Sequence, residues 1–362
     1  MGGNIVKNKE YWAQRLEEMI VRAELSVLEF EKSLIEAYEI ALAVIRKEID
    51  AFYHKYAREN KITYADARRR LNDRERRSFI ALVKEWLQLA DTLELSNEYK
   101  EYLVGLLQRV YLSRMETLEA SIRNEIEKVK MKQYAWMTDL LQTNYIVAYY
   151  DNYYTMAQGL EDEILFVNLD KTDMDKAMRT RWSGANYSTR LWNDRDAIVK
   201  QLQTLIPQAF ARGLTSNQLA DMLAKEFNTS KNRARALVRT EVNFITNQAV
   251  LESYKAARIK YYEYTAVLDM RTSEICRSLH GKVFQVSEAK VGVNYPPMHP
   301  NCRSTTFAYF PNGASDYRID KDSGNTIKTP RRMSQEQWIK RFVSDEYQER
   351  ILSFMKKYVV EE

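Results

Sequence analysis

Both cysteines of the chain and two of its three histidines fall in the stretch Asp269–Arg303. Cys276 and His280 stand four apart, a spacing that puts two side chains on one face of a helix. His299-Pro300-Asn301-Cys302 brings two more donors together in a turn, as in a zinc knuckle. Two thiolates and two imidazoles are a ligand set that tetrahedral structural zinc prefers. The expectation is one structural zinc held by Cys276, His280, His299 and Cys302. The same residues also allow a disulfide, or two buried thiols beside histidines that bond backbone carbonyls. Four protein ligands leave no open position for water, which speaks against a catalytic metal.

Charged residues flank this stretch. Arg239 and Glu241 precede it, and Asp269 and Arg271 open it. Arginine–carboxylate pairing would make these four a buried structural network. The alternative is catalytic: Glu241 and Asp269 holding Mg²⁺ beside His299, as in a metal-dependent nuclease or phosphodiesterase acting on DNA. Six arginines, Arg68, Arg69, Arg70, Arg74, Arg76 and Arg77, lie within ten residues. They form either a phosphate-contacting patch or a solvated helix face diluted by Asp66, Asp73 and Glu75. A weaker basic group is Lys231, Arg233, Arg235 and Arg239. Five tyrosines between Tyr145 and Tyr154 suit either base stacking or a packing surface. Phosphate-loop, dinucleotide-binding, nucleophile-elbow and His-Glu-x2-His motifs are absent.

The elements that must position these residues are mostly helical. The first proline is Pro207, and only Gly105, Gly159 and Gly184 interrupt the chain between Gly3 and that point. So few breakers predict long helices. Apolar residues at three- and four-residue steps predict one helix from Lys9 to about Glu59, roughly 75 Å long at 1.5 Å per residue. Thr63 caps a short helix, Tyr64–Leu71, and another follows at Asp73–Thr92. Ser96 opens Glu98–Gln133, and Tyr134–Gln158 is read as a further helix with Gly159 as its C-terminal stop. Past about residue 160 the helices shorten: Thr189–Ala211 ends at Gly213, Ser216 caps Asn217–Phe227, and Ser230 caps Lys231–Ala257. The period then changes to two at Tyr261–Val267, with further strands at Lys282–Val286 and Ser304–Tyr309. Pro311–Pro330 is a polar loop. Ser334 and Gln337 form a capping box for a helical tail reaching about Tyr358.

The fold class expected is mainly α. Long N-terminal helices (1–160) lead to a helical bundle with a small α+β knot of three short antiparallel strands (161–310), then a loop and tail (311–362). The chain has 45% apolar residues, 29% charged residues and a net charge of +5, an ordinary balance that permits a nucleic-acid partner without requiring one. Two cysteines build no disulfide framework, and a reducing cytoplasmic folding site fits that usage. The N-terminus lacks a signal-peptide apolar core, Val6 rules out the myristoylation pattern, and no window is apolar enough to span a membrane.

Arg239-Thr240-Glu241, a strand, Asp269-x-Arg271-Thr272-Ser273-x2-Cys276, Gly281 and Pro296-Pro297-x-His299-Pro300-x-Cys302-Arg303 together resemble the phage Mu F-like family. These are minor head, or head-morphogenesis, proteins of tailed double-stranded DNA phages. The resemblance covers roughly Trp182–Tyr309. Family members often carry another cysteine directly after the final Cys-Arg, where this chain has Ser304. The resemblance implies a non-enzymatic minor component of the capsid interior. Such a protein is made in the host cytoplasm, associates with the portal protein and with scaffold or capsid protein, and is packaged into the virion. There it touches double-stranded DNA non-specifically; a rival reading is a DNA-binding or DNA-ejection protein without a portal role. Some bacterial relatives carry this domain fused to toxins.

Overall fold

The computed structural model describes residues 7–93, 95–160, 163–311, 317, 326–330 and 333–359. Its order is α1 (Lys9–Tyr56), α2 (Tyr64–Arg68), α3 (Asp73–Thr92), α4 (Asn97–Gln108), α5 (Arg114–Leu160), β1 (Glu163–Leu165), α6 (Lys171–Arg179), α7 (Tyr187–Ala211) and α8 (Ser216–Ala256). Then come β2 (Tyr261–Thr265), α9 (Glu274–Leu279), β3 (Val283–Gln285), β4 (Thr305–Tyr309), β5 (Thr326–Lys328), α10 (Gln335–Phe342) and α11 (Asp345–Lys357). The chain is mainly α, as expected. No described helix is long and apolar enough to cross a membrane.

The chain divides into two compact units, each assembled from separate stretches. One comprises Met1–Phe30, Met137–Tyr187 and Ala236–Glu362, and contains the five strands found among the described residues. Its three-stranded sheet has the order β3-β2-β4, antiparallel throughout, with Tyr262 opposite Phe284 on one side and Ala308 on the other. The expected knot is therefore present. A second, two-stranded sheet pairs β1 with β5, Ile164 opposite Ile327. It uses part of the stretch read as a polar loop. Much of the rest of Pro311–Pro330 lies outside the described residues.

Gly159 does not stop α5, which runs on through Leu160. A Cβ at position 159 would lie 2.5 Å from the Trp12 ring, so glycine is there for close approach. Trp12 in turn stacks on Phe307 of β4 at 6.4 Å. The five tyrosines from Tyr145 to Tyr154 are buried in this unit. Tyr149 and Tyr150 donate to Val167 O and Asn168 Oδ1 at 2.9 and 3.2 Å. They pack the interior, and none is available to stack on bases.

The other unit comprises Glu31–Trp136 and Ser188–Arg235. Two helix boundaries differ from expectation here. The helix opened by Ser96 ends at Gln108, and the next begins at Arg114 and passes Gln133 without a break. The interruption has local causes. Leu71 N–H donates to Leu112 O at 2.9 Å and Arg114 N–H to Arg69 O at 3.0 Å, holding this segment extended. Ser113 and Glu116 then cap α5 reciprocally.

Ser230 likewise caps nothing, because α8 is continuous across it. Its hydroxyl is buried and bonds Asp194 and, at 2.9 Å, both Lys130 Nζ and Tyr38 OH. Lys130, 1% exposed, completes the cluster with Asp194 Oδ2 at 2.6 Å. A buried ammonium needs such a partner, since an unpaired one costs several kcal/mol.

Candidate metal centre

Three of the four expected ligands come together. Cys276 Sγ lies 3.3 Å from His299 Nε2 and 3.8 Å from Cys302 Sγ, and both thiols are free. Among the described residues, these three side chains alone offer converging ligand atoms, all within 4.8 Å of one another. A tetrahedral zinc with Zn–S of about 2.3 Å and Zn–N of about 2.0 Å has edges of about 3.8 Å (S–S) and about 3.5 Å (S–N). The two separations from Cys276 Sγ are close to those edges.

Local sequence explains how the ligands are placed. Ser273 caps α9, its Oγ accepting Cys276 N–H at 3.3 Å, so Cys276 sits in the first turn. Asn301 adopts a left-handed conformation (φ 59°), and its N–H donates to Thr240 Oγ1 at 3.0 Å. That turn returns Cys302 beside Cys276. The Pro300 carbonyl, 2.8 Å from His299 Nδ1, can only accept, so Nδ1 carries the proton. Nε2 is then the lone-pair atom, facing the thiols and accepting from Ser273 O–H at 2.8 Å. Orientation of a ligand imidazole through its other nitrogen is the usual outer-shell arrangement at metal sites.

Cys276 and Cys302 are each 3% exposed and pack with Tyr264, Ala266, Leu279, Phe284 and Met298. The Cys302 thiol's hydrogen bond, against the effect of burial, lowers the Cys276 pKa, with Ser273 and Tyr264 assisting. The contact with Cys276, and then burial, raise the Cys302 thiol in turn.

His280 is not in this group. The four-residue spacing assumed a helix through position 280, but α9 ends at Leu279 and His280 is its C-cap, at ψ 128°. Its Nδ1 instead accepts Ala266 N–H at 3.2 Å. With three protein donors, the argument that four ligands close the site no longer applies. What shields it is the burial of both thiols.

Asp269 and Arg271 are exposed, not buried as a network would require. The chief partner of Asp269 is Arg303, Nη2 to Oδ1 at 2.6 Å, with Arg271 farther off at 3.6 Å. The hydrogen bond from Arg303 holds the Asp269 carboxyl well below the usual carboxylate range. Glu241 is buried on α8, its Oε2 3.4 Å from Trp182 Nε1, and Arg239 two positions earlier is exposed. Neither Asp269 nor Glu241 joins the converging ligands.

In the other unit, Arg68, Arg69, Arg70, Arg74 and Arg77 are exposed, while Arg76 is half-buried and reaches Arg109 O at 3.4 Å. Arg70 lies over the Tyr111 ring at 3.9 Å, and Arg68 over Tyr64 at 5.6 Å. Neighbouring acids are engaged: Glu75 accepts from Asn72 N–H and Arg114, and Asp66 from Thr63. In the weaker basic group, Arg233 pairs with Asp194 and Arg235 with Glu31, both at 3.1 Å.

Residues 200–307 match the family model described as "Phage Mu protein F like protein". This region is phage Mu F-like. It takes in the second half of α7, all of α8, β2, β3, the first residues of β4 and the cysteine–histidine site. Two similar relatives are distant. One, from Enterococcus faecalis, is named "NAD(+)--arginine ADP-ribosyltransferase EFV" and is 23% identical over 274 residues, 67% of this chain and 56% of its own. The other is an uncharacterized protein of Haemophilus influenzae, 22% identical over 158 residues, 44% of this chain and 34% of its own. Thus the chain spans about half, or less, of the relatives it matches. No solved structure gives a significant match. The Mu F-like match points to phage head morphogenesis.

Proposed function

We propose that this chain is a minor head protein of a tailed phage, acting by binding and not by catalysis. It joins the portal during head assembly in the host cytoplasm, alongside scaffold or capsid protein. It is packaged in the capsid interior and leaves with, or helps eject, the DNA. The observation that carries this reading is the Mu F-like region built around the Cys276–His299–Cys302 site. On this reading residues 161–310 are the head-morphogenesis domain, preceded by long helices and followed by a tail.

Cys276, His299 and Cys302 would hold one structural zinc. When bound, the metal supplies a cross-link between α9 and the 299–302 turn. The convergence of an imidazole nitrogen on the two sulfurs favours this over a bare dithiol. The nuclease alternative needed Asp269 and Glu241 at the metal, and their positions outside the ligand group count against it. The ADP-ribosyltransferase name belongs to the enterococcal relative, and the binding role proposed for this chain does not draw on it. Double-stranded DNA would be met by the exposed members of the Arg68–Arg77 run, which have no sequence-reading geometry to satisfy and so act on phosphate alone.

Mass spectrometry of purified virions tests this reading. The chain is expected at a few copies per portal ring, and its absence from particles would overturn the assignment. Incubating the purified protein with DNA and Mg²⁺ or Mn²⁺ tests the enzyme alternative. No cleavage is expected, and cleavage lost on His299→Ala would establish the nuclease instead.

A further inference from the structure

Between β2 and α9 the chain makes a short projecting loop. Met270 at its tip is 99% exposed, the most exposed large apolar side chain among the described residues, and Leu268 is 57% exposed. Water-facing apolar side chains are common singly. This pair is unusual because the backbone beneath it is tied down. Asp269 N–H donates to Thr272 Oγ1 at 2.8 Å, and Arg271 N–H to Asp269 Oδ1 at 2.8 Å. Arg277 Nη2 donates to the Asp269 carbonyl at 3.3 Å, and Arg303 reaches the Asp269 carboxylate at 2.6 Å.

Both anchors of this clamp adjoin the candidate metal centre. Thr272 precedes Ser273, the cap of α9, and Arg303 follows Cys302. The site therefore fixes the base of a tip that has no interior role. Arg271 and Arg303 face the Asp269 carboxylate and Arg277 its carbonyl, so around the tip three guanidiniums stand against the carboxylates of Asp269 and Glu274, a small positive excess.

We propose that the Leu268–Met270 tip is a docking knob for a partner protein offering an apolar socket rimmed by carboxylates. A flexible thioether fills irregular sockets well, and methionine and arginine are both enriched at protein interfaces. Because the loop is already ordered, docking pays little for immobilising it. DNA is the poorer occupant, since phosphate recognition makes no use of Leu268 or Met270. This inference rests on the head-assembly reading, under which the socket belongs to the portal ring.

The test titrates the full chain against purified portal protein of the same phage. Wild type is expected to bind. The double change Leu268→Ser with Met270→Ser is expected to weaken binding at least tenfold without altering the melting curve. Arg271→Glu is expected to weaken it in a salt-sensitive way, and Ile40→Ser, an exposed apolar control, to leave it unchanged. Wild-type binding that the double change does not weaken would overturn the knob while leaving the head-assembly reading intact. Failure of the wild type to bind portal protein at all would overturn both. A double change that weakens DNA binding but not portal binding would assign the tip to nucleic acid and refute the socket.

Discussion

The donor atoms of Cys276, His299 and Cys302 all lie within 4.8 Å of one another, and the purified protein is expected to hold about one zinc per chain by elemental analysis. Cys302→Ser should abolish it. A ligand present at 100 times its Kd adds about 2.7 kcal/mol of stability, so chelation should lower Tm by about 5–10 °C. Protein that is metal-free and melts identically with and without chelator would refute the metal. A second residue-scale expectation concerns Glu119, which lines a cavity of about 180 Å³ with Arg109, Arg123 and Leu202. Burial, and then the neighbouring Glu116 charge, push its carboxyl up to about 7. The folded state thus binds a proton that the unfolded state releases near 4.5, and stability falls as pH rises from about 4.5 through about 7. Glu119→Gln is expected to raise Tm at pH 8 and to lose that advantage at pH 4; an equal effect at both pH values would contradict the raised carboxyl. The cysteine–histidine set was legible because the residue types are so rare in this chain. His280 was misplaced because spacing alone does not reveal that α9 stops one residue short of it.

Among the elements, Gly159 offers the sharpest test. In an exposed helix, Gly→Ala stabilises by about 1 kcal/mol, but here the new methyl meets the Trp12 ring. Overpacking costs about 1–3 kcal/mol, so Gly159→Ala should lower stability, and the sign should reverse in a Trp12→Leu background. Stabilisation in both backgrounds would show that the contact does not constrain the helix. Position 159 also shows why breakers mislead: a glycine signals freedom of backbone or closeness of a neighbour, and sequence does not say which. Ser230 carries the same lesson for caps, being mid-helix and paired with Lys130 and Asp194 from distant stretches. Ser113-x-x-Glu116 was a readable capping box that would have located the start of α5. The alternating strand Tyr261–Thr265 and the capping box at Ser334 were readable because they are local. The β1–β5 pairing was not, because its strands are three residues each and far apart in sequence.

In the whole molecule the Mu F-like region, residues 200–307, is distinct in sequence from the Arg68–Arg77 run that would carry DNA contact. Arg69, Arg74 and Arg77 are exposed and their side chains bond no described residue, which suits phosphate. Replacing all three by alanine should flatten the log–log dependence of DNA affinity on salt by about 2–3, at about 0.9 per phosphate contact. An unchanged slope would leave that run a solvated face. Division of the chain into two units, each drawing on discontinuous stretches, was not readable from helical periodicity. Periodicity marks which face of a helix is buried, and not which distant segment covers it. The most direct test of a head-assembly role is native purification of portal protein from heads assembled without DNA. The chain is expected to co-purify with the portal in a fixed ratio. Portal-containing heads that lack the chain, while DNA-filled particles contain it, would show that it enters with DNA and contradict a role in assembly.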